Sequence, residues 1–464
     1  MMFSRLEQLL LDPGDSLKTA MDRIQENALH TDGSGIVFVV DEKRKLLGAL
    51  TDGDIRRALL RGLPLSAAVA EAMTTNPISA TRGTTAHQLL RLFNQGVRHV
   101  PLVDDERRVV DLVLYSEFAV APRSRAVVIR AKAPVRVSFA GGGSDFTEHF
   151  ERYGGAVISA TIDRYCHGVL TKRTDSRVIL HSHDYGTRVE VDGLDELRYD
   201  GTLDLLKAAV KLLKPTFGFE LHTWSDVPPG SGLASSAAMA TVVIGLFNEL
   251  AEERLDEYQI SDLAYQVERI ELGIAGGWQD QYAASFGGLN FIEFTDKDVV
   301  VHPLRLKERI INELESNLVL CFTGLTRDSG QVHEVARRLP VDPARRDQMI
   351  VRTSRLAVEI RNTLVRGNLG GFGELLHQGW LLKKELSPGA SNPHIDGLYE
   401  AALAAGSSGG KLLGAGSGGY MLLYCPPLKA AAVRDVLRQL GIEGLSFNFD
   451  FRGMRVWHST GDGL

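Results

Sequence analysis

Only three cysteines, Cys166, Cys321 and Cys425, occur among 464 residues, far apart and without metal-ligand spacing. With so few, a reduced, cytoplasmic setting with no disulfide framework and no zinc site fits best. Long apolar runs are also missing: none reaches membrane-spanning length, and the stretch before Asp15 is too acidic, its apolar part too short, for a secretory leader. Nor is there an excess of positive charge. The net charge is −6 and the pI about 6.1, which argues against a nucleic-acid or acidic-membrane partner. What remains, 44% hydrophobic and 24% charged, is the composition of a soluble globular chain long enough for two or three domains.

One stretch organises the rest. Val227-Pro228-Pro229-Gly230-Ser231-Gly232-Leu233-Ala234-Ser235-Ser236 holds a loop open with prolines and glycines, and an almost wholly apolar run to Leu250 follows as a helix. Free N–H groups at a helix start, helped by the helix dipole and neighbouring hydroxyls, bind phosphate oxygens without any cationic side chain. Lysine is absent from the run, so this is not a Walker A loop. Loop punctuation before a buried helix is the alternative reading.

Ahead of it the chain repeats itself loosely. Between residues 35 and 120 an offset of 63 lays Val40-Asp41 on Val103-Asp104, each copy holding two short β-rich runs joined by a charged turn. Gly48-Ala49-Leu50-Thr51-Asp52-Gly53-Asp54-Ile55-Arg56-Arg57 resembles a CBS domain motif, and the whole resembles a tandem CBS pair. The resemblance implies an α/β regulatory module, association into a homo-oligomer, and an adenine nucleotide held by Thr51 and Asp54. At a strand-to-helix junction those two residues are equally able to cap the helix. The second copy has Leu114 and Glu117 at the corresponding positions, so at most one nucleotide site is expected.

After a linker near Ala121-Pro122-Arg123-Ser124 comes a strand in which Val135, Val137 and Phe139 alternate with Arg136 and Ser138. It ends in Gly141-Gly142-Gly143-Ser144-Asp145. Arg136 is either a solvent-facing strand arginine or a fixed charge for a transferring phosphoryl group, and Asp145 either a helix cap or an acceptor for sugar hydroxyls. Further on, Glu268 falls on an amphipathic helix, and Gly276-Gly277 breaks the chain before Trp278-Gln279-Asp280-Gln281. Two carboxylates are what phosphoryl transfer needs, one for a magnesium ion and one to take a hydroxyl proton.

These motifs resemble those of the GHMP kinases. The cradle is similar to the family's second motif, departing from it at Ala234. Ala-Pro-x-Arg ending in Ala-Gly-Gly-Gly-Ser-Asp is similar to its first. Lys411-Leu412-Leu413-Gly414-Ala415-Gly416-Ser417-Gly418-Gly419 looks like the third, although by itself it would be a tight turn between strands. The first motif and Trp-Gln-Asp-Gln resemble the D-glycero-D-manno-heptose 7-phosphate kinase branch. The resemblance implies an α+β, two-lobed kinase preceded by the α/β CBS module, with domains at 1–122, 123–310 and 311–464. It implies Mg·ATP in the loop Pro229 to Ser236, magnesium on Ser236 and Glu268, Asp280 as base and Arg136 as charge stabiliser. The sugar or sugar phosphate would meet Gly142, Gly143, Ser144, Asp145, Gly416, Gly418 and Arg327, with Lys383 and Lys384 as further cations for a second phosphate. The expected reaction is phosphorylation of an anomeric hydroxyl to a 1,7-bisphosphate in nucleotide-activated heptose biosynthesis. A fucose-type sugar 1-kinase, or a silent kinase half beside a nucleotide-sensing CBS pair, are the alternatives.

Overall fold

The computed structural model describes residues 6–27, 35–115, 128–326 and 342–459, and the chain divides into two compact units, Met1–Arg125 and Ala126–Leu464. The linker near Ala121, as well as Glu117, lies outside the described residues.

In the first unit the internal repeat is a structural one. Ile36–Val40 pairs antiparallel with Leu46–Thr51, and His99–Val103 with Val109–Leu114. Each of these elements is displaced by the same offset of 63, and the register slips at the same place in both hairpins, between Val39 and Val40 and between Leu102 and Val103. Arg44 and Arg107 occupy the turns with φ of 63° and 62°. The turns also meet each other: Leu46 N donates to Arg107 O at 3.0 Å and Val109 N to Arg44 O at 3.0 Å. Two copies of one unit thus bury a common apolar seam that includes Phe38, Leu46, Val103 and Val109.

The second unit is built on two sheets. The larger has eight strands, in the order Thr187–Val191, Val178–Ser182, Phe219–Ser225, Gly155–Lys172, Leu289–Phe294, Val299–Pro303, with Val128–Ala140 also pairing Gly155–Lys172. The last described strand, Arg455–Ser459, returns to pair with Val128–Ala140, so this strand belongs to the larger sheet. The helix Ser235–Asn248 follows the cradle. It is apolar on every side, which suits a helix enclosed on every side, and it packs on Val128–Ala140 and Gly155–Lys172 with the helices Asp204–Leu213, Glu257–Tyr265 and Gln279–Phe286 around it.

The smaller sheet runs Gly409–Leu412, Tyr420–Tyr424, Leu318–Phe322, Gly444–Leu445 and is antiparallel throughout. The helix Pro343–Arg366 packs against both long strands of the large sheet and against Phe372–Leu386. One hydrophobic core runs through both lobes, from Val137 and Phe139 to Leu356, Phe372 and Leu422. No helix among the described residues is long and apolar enough to cross a membrane.

Candidate active site

The three glycine-rich segments converge on a cleft of about 1170 Å³. In the cradle, Gly230 and Gly232 have φ of 71° and 80°, and Ala234, the residue before the helix, has φ of 63°. These left-handed residues turn the chain so that the helix opens with no side-chain cap, leaving its first N–H groups for a ligand. Pro229, Gly230, Gly232, Ala234, Ser235 and Ser236 line the cleft, and Ser236 is exposed there. Ser231 and Leu233 are buried outside the lining; their carbonyls accept from Tyr420 N at 2.9 Å and from Arg136 N at 3.0 Å. Those two residues fasten the loop to the sheets.

The third glycine segment locks onto the second. A Cβ on Gly414 would lie 2.6 Å from Gly232 Cα, and one on Gly419 would lie 2.3 Å from Ser231 O. Gly414 and Ala415 line the cleft. Gly416 and Gly418, expected to meet the sugar, lie outside the cleft lining: a Cβ there would strike Ala390 and the Leu325 carbonyl, so both glycines are needed for packing.

Arg136 is 4% exposed, so it is no solvent-facing strand arginine. Its Nε and one terminal nitrogen both lie 2.8 Å from Asp280 Oδ1, and the other terminal nitrogen donates to Gly232 O at 2.8 Å. The guanidinium thus ties the carboxylate to the cradle. Asp280 sits in the first turn of Gln279–Phe286, and its Oδ2 makes no hydrogen bond among the described residues.

Asp145 is 1% exposed and accepts from Gly143 N at 2.9 Å and from Gln279 N and Nε2 at 3.2 and 3.1 Å. Burial, reinforced by the nearby Asp280 charge, pushes its carboxyl above the usual range. The two glycines before Trp278 now have a cause: a Cβ on Gly277 would overlap the Asp145 carboxylate and one on Gly276 the Arg269 guanidinium. Gly142, Gly143 and Asp145 line the cleft. Ser144 is buried outside the lining, its hydroxyl, with one proton to give, 2.7 Å from Gly141 O and 3.0 Å from Ala156 O, so it secures the turn.

Glu268 lies in a π-helical turn, Gln266–Glu271, an irregularity frequent at functional sites. Almost fully buried, it accepts from Gln281 Nε2 at 2.5 Å and stands 3.6 Å from Arg269.

Two lysines face the same space. Lys411, 8% exposed, donates to Phe139 O at 3.2 Å, and burial together with the Arg136 charge brings it down to about 8. Lys383 donates to Leu412 O at 3.0 Å and Gly414 O at 2.5 Å, and is held well below its ordinary value by burial, then by Lys411 and Arg136. Among the described residues neither has a carboxylate partner. Lys384 does, Asp396 at 3.2 Å, and it lies outside the lining. Arg327 lies outside the described residues. Sequence reasoning missed Lys411 as a site residue although it begins the third motif. It also missed His149, a buried cleft residue whose ring nitrogens make no hydrogen bond among the described residues.

All three cysteines are buried and free, and burial pushes the thiol of Cys166, which lines the cleft, up to about 12.

In the first unit Thr51 and Asp54 form a capping box: Asp54 N donates to Thr51 Oγ1 at 3.2 Å, while Thr51 N and Oγ1 donate to Asp54 Oδ2 at 2.9 and 2.6 Å. Burial raises the Asp54 carboxyl, but hydrogen bonds from Thr51 and the charge of Arg57 outweigh it, so the group ends below its usual value.

An open glycine cradle, a clamped carboxylate and unpaired cations in one cleft define a small-molecule phosphotransferase, and comparison with known proteins agrees. The chain matches the family described as GHMP kinases N terminal domain over residues 204–288, the GHMP kinases C terminal family over 360–443, and the CBS domain over 8–61 and 69–122. It is 38% identical over 335 residues to the D-glycero-alpha-D-manno-heptose 7-phosphate kinase of Campylobacter jejuni, covering 71% of this chain and 98% of that protein. It is 29% identical over 333 residues to the bifunctional fucokinase/GDP-fucose pyrophosphorylase of Arabidopsis thaliana, covering 67% of this chain and 31% of that one. The crystal structure of a D-glycero-D-manno-heptose 1-phosphate kinase from Bacteroides thetaiotaomicron superposes with a TM-score of 0.60 at 30% identity, covering 72% of this chain and all of that one. The chain belongs to the GHMP kinase family, as a sugar kinase that transfers a phosphoryl group to an alcohol and carries a CBS pair at its N-terminus.

Proposed function

We propose that the enzyme transfers the γ-phosphoryl group of ATP, with Mg²⁺, to the anomeric hydroxyl of D-glycero-D-manno-heptose 7-phosphate, giving the 1,7-bisphosphate. The observation that carries the mechanism is the Arg136 clamp on Asp280 Oδ1, which leaves Oδ2 for the proton of the attacking hydroxyl. Asp280 fixes and deprotonates the hydroxyl. Arg136 holds the base in place and, with the amides of Gly230 to Ser236, balances charge on the transferring group.

The residues present fit magnesium. Ser236 supplies an exposed hydroxyl and Glu268 a buried carboxylate, an all-oxygen set of the hard kind this ion takes, and the buried charge of Glu268 calls for a cation beyond Arg269 at 3.6 Å. Bound there, the ion would neutralise the β- and γ-phosphate oxygens. On the sugar side Asp145, with the backbone of Gly142 and Gly143, accepts and donates hydrogen bonds, and Lys383 and Lys411 are buried cations that a phosphorylated ligand would satisfy.

The assignment of the heptose 7-phosphate rests on the Campylobacter relative. ATP consumption across D-glycero-D-manno-heptose 7-phosphate, the unphosphorylated heptose, mannose, fucose and galactose tests it. Turnover confined to the 7-phosphate is expected, whereas turnover only with fucose or another free sugar would keep the mechanism and discard the substrate. For the CBS pair we infer a homo-oligomer and a single adenine-nucleotide site at Thr51 and Asp54, where a nucleotide has to compete with the capping box.

A further inference from the structure

Outside the cleft, three histidines gather on the large sheet. His181 is the penultimate residue of the strand Val178–Ser182, His183 follows two residues on and so falls on the same face, and His222 is the register partner of His181 on the neighbouring parallel strand. Ser182, between the first two, and its register partner Thr223, which follows His222, are buried and line the cleft. By the alternation of a strand the histidines therefore occupy the opposite face.

Their ring nitrogens are arranged as ligands. One nitrogen from each histidine lies within 4.8 Å of the other two. His183 Nε2 is 3.3 Å from His222 Nδ1, matching the roughly 3.4 Å edge of a tetrahedron built on metal–nitrogen bonds of about 2.0–2.1 Å. Glu220 Oε1 stands 3.0 Å from His222 Nε2. With the Nε2 proton given to that carboxylate, Nδ1 presents its lone pair towards His183, which is the outer-shell partnership that orients a metal-bound imidazole.

We propose that His181, His183 and His222 bind a divalent transition-metal ion of the zinc class, with Glu220 orienting His222. Three neutral imidazoles with an open fourth position suit that class, whereas the all-oxygen preference of magnesium does not. The ion ties the strand Phe219–Ser225 to the hairpin that runs from Val178 to Val191, whose turn carries Asp184 and Tyr185 to the wall of the cleft. It is distinct from the ion at Ser236 and Glu268.

The test uses the full-length, untagged protein, stripped with chelator and dialysed against Zn²⁺ without nucleotide, followed by metal analysis. Wild type and Glu268→Gln are expected to retain one zinc per chain. His183→Ala and His222→Ala should lose it while keeping the wild-type far-UV spectrum, and added zinc should raise the melting temperature of wild type but not of His183→Ala. No bound zinc in wild type, full occupancy in His183→Ala, or loss in Glu268→Gln alone would overturn the proposal.

Discussion

At the residue scale the proposed mechanism concentrates on Asp280, as the base, and its clamp. Removing the base while keeping shape, as in Asp280→Asn, is expected to lower kcat by about 10²–10⁴-fold. ATP affinity should change little, because the cradle binds through backbone groups; stopped-flow turnover beside nucleotide titration separates the two. Lys411 gives a pH signature. Held at about 8 in the fold, it loses its charge as pH rises through that value, so KM for a phosphorylated sugar should climb above pH 8 in wild type and show no such step in Lys411→Met. Stability runs the other way. The unfolded chain keeps the Lys411 proton up to 10.5 and so binds more protons between about 8 and 10.5, which means that raising pH across this window favours the unliganded fold. Ala234 is the family departure, and its φ of 63° explains why glycine suits the position. Ala234→Gly should raise stability by about 1 kcal/mol, measured by urea unfolding, because the left-handed strain of an alanine is relieved.

At the scale of elements, the cleft depends on glycine segments from distant parts of the chain that approach without side chains. Gly414→Ala would place a methyl group 2.6 Å from Gly232 Cα at a φ of 62°, forcing the cradle to shift. The expected result is a destabilisation of about 1–3 kcal/mol together with weakened ATP binding, read by calorimetry. Much of this was legible beforehand. The cradle, Asp145 and Asp280 stand out because each sits in or beside glycines that a packed core does not need, whereas Arg136 within a strand and Glu268 on an amphipathic helix take their roles from the resemblance to the GHMP kinase motifs. What escaped depended on residues brought together only by folding. Ser144, Gly416 and Gly418 belong to the right motifs yet serve Ala156, Ala390 and Leu325, contacts that no local pattern encodes. Lys411 passes for a strand lysine until its strand proves buried, and His181 and His183 gain meaning only when the pairing with Phe219–Ser225 brings His222 beside them.

The whole molecule joins a catalytic unit to a duplicated module, and the Campylobacter kinase is matched over 98% of its length by 71% of this chain, so the module is an addition to that architecture. Within the module Thr51 and Asp54 cap a helix. Thr51→Val should therefore cost about 1 kcal/mol of module stability in the absence of nucleotide. If the site also binds adenine nucleotide, Thr51→Val should additionally abolish AMP or ATP binding at the module, seen by titration in an Asp280→Asn background that removes turnover. The central claim concerns the phosphoryl group's destination, and phosphorus NMR of the product formed from ATP, Mg²⁺ and D-glycero-D-manno-heptose 7-phosphate tests it most directly. A new phosphate coupled to the anomeric proton, with the 7-phosphate retained, is the expected result. Phosphorylation at another carbon, or no transfer to this sugar, would contradict the account.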